Sequence, residues 1–173
     1  AGGIEHMTRA PMVMAKAESA FAKNMEMADS TFGWRFVNPK MKAQYGVDPM
    51  GETAENLADL HQISRADQDL FAMRSQQKAT AARASGRFAK EIIAVEVQQK
   101  KETILISEDE FIKPQTSLEG LSNLKPAFRK EGTVTAGNAS GLNDGAAALL
   151  FASEEAIKKY NLTPKAKIIS MAV

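Results

Sequence analysis

Residues 133–151, TVTAGNASGLNDGAAALLF, hold the densest set of positions that could meet a ligand. Gly137, Gly141 and Gly145 recur at four-residue intervals, with Asn138, Ser140, Asn143 and Asp144 between them. Small side chains let a backbone approach a ligand closely, and exposed N–H groups there can hold anionic or carbonyl oxygens. A tight turn entering a strand would use the same residues simply to pack. The residues by themselves leave these two readings level. The loop is not a nucleophile elbow, because Asn138 stands where the first glycine of G-x-S-x-G belongs.

Other reactive groups are few. His61 falls on an expected helix with no nucleophile near it in sequence, so it reads as a packed or half-exposed structural histidine. His6 reads similarly, although Gly2 and Gly3 beside it place backbone close to something. The run Glu108-Asp109-Glu110 could bind a cation, but acidic runs are usually solvated surface. There is no cysteine, which removes disulfides, thiolate zinc sites and a cysteine nucleophile from this chain. With only two histidines, no metal is expected. Neither G-x-G-x-x-G nor G-x-x-x-x-G-K-[ST] occurs.

These groups need a scaffold, and the 173 residues suffice for one domain, or one domain with pieces of another. Residues 9–26, rich in Met and Ala, are expected as an irregular helix after Pro11, with Met filling the core. Residues 30–40 form a compact turn anchored by Phe32, Trp34 and Phe36. Residues 51–62 carry Ala54, Leu57, Ala58 and His61 at helical spacing. Ser64 caps a second helix over 65–85 that presents Ala66, Leu70, Met73, Gln77 and Ala81 on one face, with Gly86 as its stop. Strands are expected at 92–98 and 103–107, a short helix near 117–123 and a buried strand at 146–152. Ser153 caps a helix over 154–160, and 166–173 reads as a last strand. Helices and strands mix throughout, which gives an α/β or α+β class. A net charge of +1 argues against a nucleic-acid field, and no apolar run is long enough for a membrane span. The absence of a signal-like segment and of cysteine gives a cytoplasmic expectation. A chain opening on Ala1 and ending inside KAKIISMAV reads as a piece of something longer.

The glycine loop, TVTAGNASGLNDGAAALL, resembles a stretch of the thiolases, acyltransferases that make or cleave 3-oxoacyl-CoA thioesters. AGGIEHMTRAP, MGETAENLADLHQISRADQDLFAMRSQQKA, GRFAKEIIAV and LKPAF–KEGTVTAGNASG agree with the same family in order, so the resemblance covers essentially the whole chain. FGWRFVNPKMKAQYGVDPMGETAEN is similar to thiolases of the 3-oxoadipyl-CoA type, used in aromatic catabolism. The resemblance implies an α/β thiolase-like fold of two similar halves, with a helical loop domain inserted in the first. On that pattern residues 1–12 end the N-terminal half, 13–140 are the loop domain, 141–163 are the last strand and helix of that half, and 164–173 open the C-terminal half.

The resemblance also implies coenzyme A or acyl-CoA as the bound substrate. Met50 would lie near the thioester and Met41 on the CoA side. Lys113 falls where many relatives have an arginine near the adenine and phosphate end; it keeps the charge and loses the planar fork. Phe128 would contact the pantetheine or adenine, and Ala136, Ala139 and Ser140 would line the pantetheine tunnel. Gly120 and Pro49 depart from relatives that carry a serine and a histidine there. The family's nucleophilic Cys, its activating His and its acid/base Cys are absent, so the chain would be an inactive internal fragment of a working enzyme. The family association implies a homo-oligomer, dimer or tetramer, with no nucleic-acid or membrane partner. A second reading is a non-catalytic CoA-binding or self-assembly module.

Overall fold

A computed structural model describes residues 1–172. The chain divides into two compact units, Pro11–Leu142 and a second made of Ala1–Ala10 with the residues from Asn143 onward. In the second unit, β1 (Gly2–Glu5) pairs antiparallel with β6 (Gly145–Ala148), Gly2 opposite Ala148 and Glu5 opposite Gly145. The Ala1 ammonium donates to the Leu149 carbonyl at 2.8 Å and extends the ladder by one rung. Gly2 is required by proximity, since a Cβ there would stand 2.5 Å from the Ala147 carbonyl oxygen. Helix α5 (Glu154–Tyr160) starts as expected: the Ser153 hydroxyl accepts the Ala156 N–H, Glu154 and Glu155 lie in its first turn and Lys158 and Lys159 in its last.

Two expectations for this unit need correction. The strand expected at 146–152 covers only Gly145–Ala148 and is exposed throughout, with Leu150 86 % exposed. No strand forms within 166–172, and Val173 lies outside the described residues. Both segments are apolar enough for strands, but a strand requires a neighbour to exchange backbone hydrogen bonds with. Among the described residues of this unit, β1 is the strand that pairs, and it takes β6.

The Pro11–Leu142 unit contains no helix over 9–26. Met7–Arg9, in the other unit, is a single 3-10 turn; β2 (Met12–Met14) then pairs antiparallel with β3 (Met27–Asp29). Burial follows period two: Val13 and its partner Ala28 are half-buried, while Met12, Met14 and Met27 point outward. The methionines therefore do not fill a core here. The 30–40 segment bends as expected, but its aromatics are at least half exposed, Trp34 at 51 %. It leads into α1 (Pro39–Tyr45), capped by the Asn38 side chain and stopped by Gly46 at φ +73°.

Helices α2 (Met50–His61) and α3 (Arg65–Ala84) follow, separated by a turn in which Gln62 is left-handed. The Ser64 hydroxyl accepts the Asp67 N–H, as its spacing predicts. A hairpin of β4 (Val95–Gln98) and β5 (Thr103–Ile106) and the short α4 (Leu118–Ser122) complete the unit. Ala58, Ile112, Leu121 and Val134 are its buried apolar side chains among the described residues, accompanied by the buried Glu55, Asp69 and Thr135.

The inward faces of the two long helices differ from the expected ones. On α2 the buried stripe is Gly51, Glu55 and Ala58, whereas Leu57 is 48 % exposed and His61 exposed. On α3 Leu70 and Met73 are half-buried, but Ala66, Gln77 and Ala81 are exposed and the buried residue is Asp69. Each buried carboxylate meets its donors: Glu55 accepts the backbone N–H groups of Thr133 and Val134, and Asp69 accepts from the Arg65 guanidinium and the Asn138 amide.

Candidate functional site

Helix α2 grips the segment 128–134 along two neighbouring stripes, each at i, i+4, i+7 spacing. The first stripe is Gly51, Glu55 and Ala58. The Phe128 ring lies so close to Gly51 that a Cβ there would overlap it. The Glu55 carboxylate, 1 % exposed, accepts the N–H groups of Thr133 at 2.9 Å and Val134 at 2.8 Å, and the Thr133 hydroxyl at 3.0 Å. Gly132 makes room for it, since a Cβ at that position would overlap the carboxylate. The second stripe is Glu52, Asn56 and Asp59, and all three accept from the Arg129 guanidinium, at 2.9, 2.7 and 2.6 Å. Asn56 also donates to Asp48 at 3.0 Å, tying down the loop that precedes Met50.

Electrostatics agree with this geometry. Burial pushes the Glu55 carboxyl up, but the N–H groups of Thr133 and Val134, the Thr133 hydroxyl and the Arg129 charge outweigh it, so the net shift is below the ordinary value of 4.5. Arg129 is raised by its hydrogen bonds to Glu52 and Asp59. A buried carboxylate kept ionised in this way accepts without ever donating, which suits a neighbour made of N–H groups.

Beyond Val134 the chain turns through the glycine loop. Thr135 is fully buried, and its backbone pairs with Pro126 across a narrow antiparallel bridge. Asn138 is used at both ends of its amide: its oxygen accepts the Thr135 N–H at 2.7 Å, and its nitrogen donates to Asp69 at 3.0 Å and to the Thr133 carbonyl at 3.1 Å. Asp69 is held in turn by Arg65, whose guanidinium also donates to the Leu121 and Leu124 carbonyls at the end of α4. Gly137 lies against the same leucines; a Cβ there would be 2.5 Å from each. Gly141 meets the Phe111 ring just as tightly. The two readings of the loop therefore separate by residue. Gly137 and Asn138 are half-buried and pack, and the Phe111 ring closes on the exposed Gly141, whereas Ala136 and Ser140 are exposed and Ala139 is half-buried.

The other expected site residues distribute as follows. Met50 is the first residue of α2 and 84 % exposed; Phe128, 45 % exposed, lies over its neighbour Gly51, so these two share one end of the helix. From Phe128 the gripped segment runs directly to Ala136. Lys113 has an exposed side chain, and its backbone N–H donates to Gln76 of α3 at 2.8 Å. Met41 is half-buried in α1, which packs on no other helix or strand among the described residues, so it stands apart from the rest. Pro49 precedes α2 in an extended conformation, and the Gly120 N–H is taken by the Ser117 hydroxyl.

His6 lies 3.3 Å from Asp144, which is also held by the Thr8 N–H and hydroxyl. Asp109 accepts the Phe111 N–H and shapes a turn. Among the described residues no three histidine or acidic side chains are grouped to hold a metal ion, and no helix is long and apolar enough to cross a membrane.

Sequence reasoning missed Glu55, Asp69 and Arg129. A signal for part of this was present: Glu52, Asn56 and Asp59 fall on one stripe of a helix expected to be amphipathic, which asks for a basic partner.

The chain belongs to the thiolase family: residues 1–155 match the family model described as the thiolase N-terminal domain. Among curated relatives, a beta-ketoadipyl-CoA thiolase of Pseudomonas putida is 59 % identical over 172 residues, covering 99 % of this chain and 43 % of the relative. An Escherichia coli K12 protein named 3-oxoadipyl-CoA/3-oxo-5,6-dehydrosuberyl-CoA thiolase is 56 % identical over 173 residues, with the same coverage. The chain thus spans less than half the length of these relatives. Human mitochondrial 3-ketoacyl-CoA thiolase, solved in complex with CoA, superposes with a TM-score of 0.73 at 43 % identity, over 94 % of this chain and 39 % of that one. The α/β thiolase fold class follows from these neighbours.

Proposed function

We propose that this chain is the part of a CoA-dependent thiolase that holds coenzyme A, in an enzyme cleaving 3-oxoadipyl-CoA or a similar 3-oxoacyl-CoA. In thiolysis the bond between the α and β carbons breaks. The acyl group passes to the sulfur of a second CoA, and the α carbon takes a proton as acetyl-CoA leaves; Claisen condensation is the reverse. Such acyl transfer proceeds through a thiolate nucleophile, and this chain has no cysteine. We assign the nucleophilic Cys, the activating His and the acid/base Cys to the remainder of the enzyme, and expect this chain alone to be inactive.

The observation that carries the binding role is the division of the glycine loop. Its packing residues turn inward while Ala136 and Ser140 stay open and small, at the end of a rigidly held segment that starts at Phe128. A narrow pantetheine arm needs such a wall: small side chains for width, and a hydroxyl for an amide. Met50, Phe128, Ala136, Ala139 and Ser140 form this wall, with Lys113 toward the phosphates and Met41 on the CoA side. We take residues 13–140 as the loop domain, 1–12 and 141–163 as parts of the N-terminal half and 164–173 as the opening of the C-terminal half. This division is supported by the compactness of the Pro11–Leu142 unit. The enzyme is proposed as a homo-oligomer, dimer or tetramer.

The test uses the full-length protein and this chain side by side, with 3-oxoadipyl-CoA and CoA. The full-length protein is expected to form succinyl-CoA and acetyl-CoA, and the chain alone to form neither. Thiolysis by the chain alone would overturn the placement of the chemistry outside it. Absence of CoA binding to the full-length protein in calorimetry would overturn the binding role.

A further inference from the structure

We propose that Glu55 is a positioning residue for the coenzyme: its buried carboxylate, between the Phe128–Gly51 contact and the Ala136–Ser140 loop, fixes the distance between the two parts of the wall. The inference rests on the reading above that these residues line the CoA tunnel.

Three observations converge on it. First, Glu55 has almost no exposure, yet it lies one helical turn after Gly51, where Phe128 is seated, and binds Thr133 and Val134, just before Ala136. A shift of the carboxylate would therefore move the Thr133–Val134 end of the segment relative to Phe128 at Gly51. Second, the segment is cut to fit it: a side chain at Gly132 would collide with the carboxylate. Third, the surrounding bonds lock the same register from outside. Arg129 is held by the adjacent stripe of α2, and Gln68 of α3 donates to the Thr133 hydroxyl at 2.9 Å.

Burying a charge is a poor way to gain stability alone, since well-packed apolar residues usually do as well. What a carboxylate provides instead is direction. Its two oxygens accept from two consecutive backbone N–H groups and one hydroxyl, and only one placement of the segment satisfies all three. An apolar side chain would leave the segment free to slide. Buried N–H groups also tolerate no drift, because losing the acceptor leaves them unsatisfied.

The experiment compares full-length protein with Glu55→Gln, Thr133→Val and a destabilising control outside the gripped segment, Gly46→Ala. The control strains a left-handed residue at the end of α1, with nothing within 4 Å of the new Cβ. Glu55→Gln keeps the shape and loses the charge. It is expected to raise the Kd and the KM for CoA about tenfold, the equivalent of one charge-assisted hydrogen bond, with kcat changing by less than about threefold. Thr133→Val keeps both backbone N–H groups and loses the hydroxyl's bond to Glu55 together with the one it accepts from Gln68, and should raise both constants about two- to threefold. It keeps the test open if Glu55→Gln does not fold.

Combining Glu55→Gln with Phe128→Ala should cost no more than the larger single effect, because both act through one wall. If the parent protein binds no CoA, the tunnel assignment fails whatever Glu55 does. If the parent binds CoA and Glu55→Gln or Thr133→Val matches the Gly46→Ala control in Kd and KM, the positioning role is overturned.

Discussion

Gly137→Ala isolates the close approach of the glycine loop to α4. Gly137 is not in a left-handed conformation, so alanine can adopt its backbone, and only space opposes the change. The added Cβ would lie 2.5 Å from Leu121 Cδ2 and from Leu124 Cδ1, about 1 Å inside ordinary contact. Leu124 is 38 % exposed and can swing outward, but Leu121 at 5 % cannot. Overpacking of this kind costs about 1–3 kcal/mol. The smaller entropy of the unfolded chain returns about 0.4–1 kcal/mol. The net is a loss of about 1–2 kcal/mol, concentrated in the loop. Native-state hydrogen exchange in the full-length protein reads it directly: the Thr135 and Gly137 amides, bonded to the Asn138 oxygen and the Thr135 hydroxyl, should exchange about 5–30 times faster. Adding Leu124→Ala should recover little of the protection, since Leu124 can already move aside and the buried Leu121 still stands in the way. Unchanged or slower exchange in Gly137→Ala alone would refute the packing role and return the loop to a purely conformational use of glycine.

Asn138→Asp keeps the acceptor for the Thr135 N–H but turns a donor into a charge facing Asp69 and the Thr133 carbonyl. Chemical denaturation should register a loss of about 2–4 kcal/mol at neutral pH, partly restored in acid where the pair can share a proton. Gly46→Ala should cost about 1–2 kcal/mol from its φ of +73°, while Gly3→Ala, with φ unrestricted and nothing within 4 Å, should be nearly neutral; equal effects on melting temperature would contradict the distinction.

For Glu55, a folded pKa below 4.5 means that its contribution is complete above that value and is lost as pH falls through the folded pKa. Melting temperatures measured downward from pH 4.5 should therefore fall more steeply for the parent than for Glu55→Gln. Parallel curves would show that the carboxylate is not held ionised.

Helix ends were legible because caps are local. Ser64 and Ser153, read as caps, each accept an N–H three residues on. Ser117 does the same for α4. The thiolase resemblance, carried by nearly the whole chain, located the proposed CoA-facing residues, of which Met50, Phe128 and Ala136 follow one another along α2 and the segment it holds. What was not legible was the direction each helix faces. A period-3.6 search assumes that the inward stripe is apolar, and it passed over Glu55 and Asp69 because carboxylates are normally surface residues. Their burial depends on donors brought from Thr133, Val134 and Asn138, far along the chain. The Met-rich stretch failed for a related reason: alternation at Val13 becomes meaningful only once Ala28 is known to lie opposite. Strand tendency at 166–172 likewise has no outcome until a partner strand is specified.

The separation of Glu55 from Thr133, 78 residues, also sets an order of events in folding. Helices α2 and α3 can form from local bonds alone, with Glu55 still solvated and fully charged. The wall can close only after the whole intervening chain, including the β4–β5 hairpin, has been looped back at an entropic cost that grows with its length. Desolvating the carboxylate before Thr133 and Val134 arrive would be prohibitive, so its bonds belong to the late side of the folding barrier. Substitutions at Glu55 should then accelerate unfolding and leave the folding rate nearly untouched, a φ-value near zero; a value near one would place the wall in the nucleus. The segment proposed to face the coenzyme is thereby expected to assemble late in the folding of this unit.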